Sequence, residues 1–156
     1  MGDYYTLHPT RYSVLVDNSD LAKQYYIKNY SVIGDGASLY HEQREYLNQD
    51  LVEMYNSYRF AFVGSECSGI AALGTFEAMA CGCEVFLEKD IAQHLGLVDG
   101  VHVWTFDNVS SSLLKKLVYV LDSGLSLSPE KISDVVQAYR SSNLSISLKE
   151  SLNICS

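Results

Sequence analysis

The order of segments between residues 60 and 87 constrains the fold of this chain more than any other feature. An apolar run, Phe60-Ala61-Phe62-Val63, reads as a buried strand. A loop of small residues follows, from Gly64 to Gly74-Thr75. Phe76-Glu77-Ala78-Met79-Ala80 then favours a helix, and Gly82 stops it. A second apolar run, Val85-Phe86-Leu87, starts at once. Strand, loop, helix and strand in this order form a crossover unit, which implies parallel strands. In an open parallel sheet, ligands bind outside the carboxyl ends of the strands. The free N–H groups of a helix opening there suit a phosphate.

The rest of the chain extends the same alternation. Tyr12-Ser13-Val14-Leu15-Val16 and Tyr30-Ser31-Val32-Ile33 read as strands, with a helix from about Leu21 to Ile27 between them. Tyr46-Leu47 is a weak edge strand. Asn48-Gln49-Asp50 caps a helix from Leu51 to Ser57, and Tyr58 to Val63 is the next strand. Ile91 to Leu95 forms a short helix, and Val101 to Phe106 alternates like a strand. Asn108 or Ser110 opens a helix to about Leu121, with Leu113, Leu114, Leu117, Val118 and Leu121 inward. Ser128-Pro129-Glu130 opens a helix through Arg140, with proline at its first position. A last helical period runs from Leu144 to Ile154. The expected fold class is α/β: one domain over residues 1–156, a mainly parallel sheet with helices on both faces.

Composition narrows the partners. The 156 residues suffice for one domain with a real core. The net charge of −8 argues against a nucleic-acid groove, which needs a basic footprint. No run of 18 apolar residues exists, so no integral membrane segment is expected. Met1-Gly2-Asp3-Tyr4-Tyr5 lacks a basic start and an apolar signal core, so the expected location is the cytoplasm. There the four cysteines are expected as free thiols. Cys81-Gly82-Cys83 has half of a metal-site spacing with no second Cys/His pair, so no metal ligand is assigned. His41, His94 and His102 read as packing or surface residues.

Four segments in register resemble one known family. Ser31-Val32-Ile33-Gly34-Asp35-Gly36 is similar to a family strand ending in Gly-Asp-Gly. Asp50-Leu51-Val52-Glu53-Met54-Tyr55 resembles its helix before the motif strand. Glu77-Ala78-Met79-Ala80-Cys81-Gly82-Cys83-Glu84-Val85 resembles its Glu-Ala-Met-Ala-Cys-Gly-(Lys/Cys)-Pro-Val segment. Leu97-Val98-Asp99-Gly100-Val101-His102-Val103 resembles the segment after it. The family is the retaining GT-B glycosyltransferases of group 1, and residues 12–122 of this chain resemble its nucleotide-sugar-binding, C-terminal domain. The fold it implies is a Rossmann-like domain, one half of a GT-B enzyme.

The resemblance implies roles for named residues. Glu77 would accept hydrogen bonds from both ribose hydroxyls, a task that suits an acceptor-only carboxylate. Gly74, Thr75 and Phe76 would present backbone N–H groups, and Thr75 its hydroxyl, to the diphosphate. Leu47 and Asn48 would touch the base. Glu66, with Ser68 and Gly69, would face the sugar, and Lys23 would neutralise the diphosphate. Glu66 and Lys23 are thus the candidate catalytic groups. The donor implied is a UDP- or GDP-sugar, with no cofactor required, and the reaction is sugar transfer with retention to an unknown acceptor.

Three departures stand beside it. Ten residues separate Glu66 from Glu77, where the family has seven, so either the loop is longer or Gly69 takes the place of Glu66. Asn18 falls where the family has an arginine. A divalent cation, manganese or magnesium, held with Asp17 and Asp20 is one compensation; solvated turn carboxylates are the plainer reading. The acceptor-binding half is absent, which implies a homodimer or a partner chain on that side. Two alternatives remain: a module that only binds nucleotide or nucleotide-sugar, or the excised donor half of a larger enzyme; and a flavodoxin-like or sensory α/β module with no affinity for nucleoside diphosphates.

Overall fold

The computed structural model of the protein describes residues 48–65 and 70–139. Helix α1 (Asn48–Asn56) leads into strand β1 (Phe60–Phe62). Helix α2 (Leu73–Ala80) crosses over to β2 (Glu84–Glu88), and α3 (Lys89–His94) leads towards β3 (Trp104–Phe106). Helices α4 (Ser110–Asp122) and α5 (Pro129–Ala138) follow. The strands form a parallel sheet in the order β1-β2-β3, with Phe62 opposite Phe86 and Phe86 opposite Trp104. The protein is therefore α/β with a three-stranded parallel sheet among the described residues. None of their helices is long and apolar enough to cross a membrane. The expected strands at 12–16, 30–33 and 46–47, the helix at 21–27 and the final helical period lie outside the described residues.

The middle strand carries the core. All five residues of β2 are buried, as expected for a strand flanked on both edges and covered on its faces. Burying Val85, Phe86 and Leu87 contributes roughly 1.5–3 kcal/mol each. Phe60 meets Phe86, and Phe62 meets Phe106, edge to face at 5.6 Å between ring centres. Helix α5 is fastened to α2 by Phe76 and Tyr139, whose rings are 4.6 Å apart.

Helix α2 ends as its sequence implies. Gly82 adopts φ +84°, the left-handed conformation that glycine takes without penalty. Its N–H bonds the Met79 carbonyl, and the Cys83 N–H bonds that of Ala78, which satisfies the last free carbonyls. The start of α2 differs from expectation. Ala72 is the cap, in extended conformation, and Gly74 and Thr75 lie inside the first turn. The Thr75 N–H closes that turn on the Ala72 carbonyl at 2.9 Å.

Four further expectations are corrected. Strand β3 begins at Trp104 and not at Val101, because the Val101 and His102 N–H groups both turn back onto the Val98 carbonyl. In α4, Leu113 and Val120 are buried while Leu121 is 36% exposed; with 3.6 residues per turn, the inward face passes through Val120. The cap of α4 is Val109, with no side-chain bond, and Asn108 instead donates to Asp90. Helix α5 begins as read, with Ser128 Oγ accepting the Lys131 N–H, but it ends at Ala138 and not Arg140.

Candidate functional site

The carboxyl end of β1 and the first turn of α2 bring three groups to one point. A Cβ on Gly74 would lie 3.2 Å from Val63 Cγ1, 3.3 Å from the Tyr55 hydroxyl and 3.8 Å from Glu77 Oε2. The absence of a side chain at Gly74 is what admits the other three. Glu77 is exposed, one helical turn further along the same face. Burial raises the pKa of the Tyr55 hydroxyl, and the negative charge of Glu77 raises it further. Tyr55 is thus a neutral hydroxyl beside a solvent-facing carboxylate. The sequence reading missed Tyr55; its signal was the aromatic position on the helix before the motif strand.

The other expected site residues are placed as follows. Thr75 is fully buried, and its N–H is spent on Ala72. Phe76 stacks its half-buried ring on Tyr139. Asn48 is the first residue of α1. Lys23, Leu47, Glu66, Ser68 and Gly69 lie outside the described residues.

The two cysteines beside the site behave as thiols. Cys83 is buried with Sγ against the Tyr55 and Tyr58 carbonyls at 3.2 and 3.4 Å. Burial and the neighbouring Cys81 push its pKa to about 11. Burial, then Glu77, also raises that of Cys81. Among the described residues no three or more His, Cys, Asp or Glu side chains group as metal ligands. His102 Nδ1 accepts the Val98 N–H and His94 Nδ1 meets the Asp90 carbonyl, both local contacts.

Two buried glutamates bracket β2. Glu84, at its start, accepts Arg59 Nε and Ser126 Oγ on Oε1, and Trp104 Nε1 and the Leu127 N–H on Oε2. Glu88, at its carboxyl end, accepts the Ser65 N–H and hydroxyl on Oε1. Among the described residues only Thr75 Oγ1 and Glu88 Oε2 are buried side-chain oxygens without a hydrogen-bond partner. A separate open cleft beside β3 is lined by Lys89, Lys115 and Lys116 together with Asp99 and Asp107. Lys116 is engaged there by Asp99 at 2.7 Å.

No family model matches this chain, and no curated protein or solved structure matches it.

Proposed function

We propose that the chain is the donor-binding domain of a retaining GT-B-type glycosyltransferase, Rossmann-like, with helices on both faces of its sheet. The observation that carries this reading is Glu77. It stands exposed on the helix that follows β1, one turn from Gly74, which packs against Val63 and Tyr55. An ionised carboxylate at that point accepts both hydroxyls of a ribose. Gly74 lets the first turn of α2 pack closely on Val63 and Tyr55, and the diphosphate is assigned to the opening of that helix, where the helix dipole favours negative charge. The same field stabilises the diphosphate as it leaves the sugar, which is electrostatic catalysis. The donor is a UDP- or GDP-sugar. Glu66, Ser68 and Gly69 are assigned to the sugar side, Leu47 and Asn48 to the base, and Lys23 to the diphosphate. No cofactor is required, and manganese or magnesium is the source of charge if Lys23 does not suffice.

The acceptor side comes from a second copy, a partner chain or the rest of a larger enzyme. The exposed Ile70 and Leu73, at the opening of α2, fit a face that is covered in the assembly. Calorimetry with UDP, GDP and their sugars, with and without manganese, tests the donor site. Transfer from a labelled donor to simple acceptors separates an enzyme from a module that only binds.

A further inference from the structure

Glu84 and Glu88 are the same residue type, at the two ends of the same buried strand, and the fold treats them differently. At Glu84 both oxygens are filled by four donors. At Glu88, which is 1% exposed, Oε1 has both Ser65 donors and Oε2 has none among the described residues. A buried acceptor without a donor is costly, and more so when charged. Packing does not require that cost, since leucine or methionine fills similar space. Helix capping does not explain it either. Glu88 is the cap residue of α3, yet its side chain makes no capping bond. No cation among the described residues pairs with it.

The position is informative. Glu88 closes the central parallel strand at its carboxyl end, the end at which open α/β sheets bind ligands. Its Oε1 holds Ser65, three residues past the end of β1. The second unpartnered buried oxygen, Thr75 Oγ1, belongs to the first turn of α2, on the crossover that leaves from that same strand exit.

We infer that Glu88 is a specificity-determining residue of the donor site: Oε2 accepts a hydrogen bond from a hydroxyl of the bound sugar while Oε1 anchors Ser65. This rests on the donor-site reading above. An acceptor-only carboxylate needs a donor, and the sugar is the hydroxyl-rich part of such a ligand. A buried acceptor also discriminates strongly, because a sugar lacking the matching hydroxyl leaves it unpaired.

The test compares Kd values for UDP and UDP-glucose, and for GDP and GDP-mannose, on the full chain and on Glu88→Gln. The amide keeps an oxygen for Ser65 and replaces the other acceptor by a donor. The expected result is a sugar nucleotide bound about tenfold or more weakly, with the plain diphosphate unchanged within twofold. The preference of the natural chain for the intact sugar over one of its single-deoxy analogues also disappears in the variant. Equal loss for diphosphate and sugar nucleotide, or no loss for either, overturns the inference and leaves the donor site standing. Binding of neither ligand by the natural chain overturns both. If Glu88→Gln does not fold, Ser65→Ala, which removes one of the two donors on Oε1, takes its place. It is expected to weaken the sugar nucleotide several-fold and spare the diphosphate; equal effects on both overturn the inference.

Discussion

The indole N–H of Trp104 donates to Glu84 Oε2 at 2.8 Å, and this bond ties the edge strand β3 to the start of the central strand inside the core. The same carboxylate receives Arg59 from the end of α1's loop, and Ser126 and Leu127 from the turn before α5. One side chain thus joins four separated parts of the chain. The main chain adds to this tie, because the Glu84 N–H bonds the Arg59 carbonyl at 2.8 Å.

Glu84→Ala is therefore expected to destabilise the fold by about 3 kcal/mol or more, since it strands the Trp104 and Leu127 donors in the core. Urea denaturation of the two proteins measures it. A change below about 1 kcal/mol contradicts the central role of this carboxylate.

Acid should have a related effect. Burial raises the pKa of Glu84, but the bonds from Arg59, Ser126, Trp104 and Leu127 outweigh it and hold the carboxyl below its usual range. For Asp99, burial likewise raises the pKa and Lys116 and Thr105 bring it below normal. A depressed folded pKa means that the unfolded chain takes up protons first. The stabilisation is complete above the ordinary carboxylate pKa of about 4. It is lost as pH falls through the folded values. Thermal melts from pH 7 to pH 3 should show a Tm that falls below about pH 4.5, and less steeply in Glu84→Gln. An equal acid slope in that variant contradicts the assignment.

Gly74→Ala separates binding from stability. Alanine favours a helix interior by roughly 0.5–1 kcal/mol over glycine. Its Cβ also meets Val63 at 3.2 Å and the Tyr55 hydroxyl at 3.3 Å, so those neighbours must give by a few tenths of an ångström. The two effects nearly cancel, and stability should change by less than about 1 kcal/mol. Diphosphate affinity should fall about tenfold, the equivalent of about 1.4 kcal/mol, because the methyl group displaces Val63 and Tyr55 beside the helix opening. Unchanged affinity in calorimetry contradicts a diphosphate at Gly74.

Much of the scaffold was legible in the residues themselves. Gly82 stops α2 because no other residue takes that conformation so cheaply, and Pro129 opens α5 because its missing N–H has no helical partner to lose. Three consecutive apolar residues between two glutamates announced β2, but not that both glutamates are buried, which depends on donors brought from Ser65 and from 59, 104, 126 and 127. The start of α2 was misread because glycine and threonine are poor helix formers in isolation. Packing of Thr75 into the core overrides that preference. Glu77 was legible as a candidate site residue from its motif alone. Its nearness to Tyr55 was not, since the two lie 22 positions apart in the chain and come together around Gly74 only through the fold.

The most direct test of the central claim is isothermal calorimetry of UDP, GDP and their sugars on the natural chain and on Glu77→Ala. Glu77 is exposed, so its removal should leave the fold intact. A ribose held by Glu77 predicts saturable binding of one nucleotide class. It also predicts at least a tenfold loss in the variant at an unchanged Tm. Absence of binding to any of these nucleotides, or equal affinity for both proteins, contradicts a donor site at Glu77.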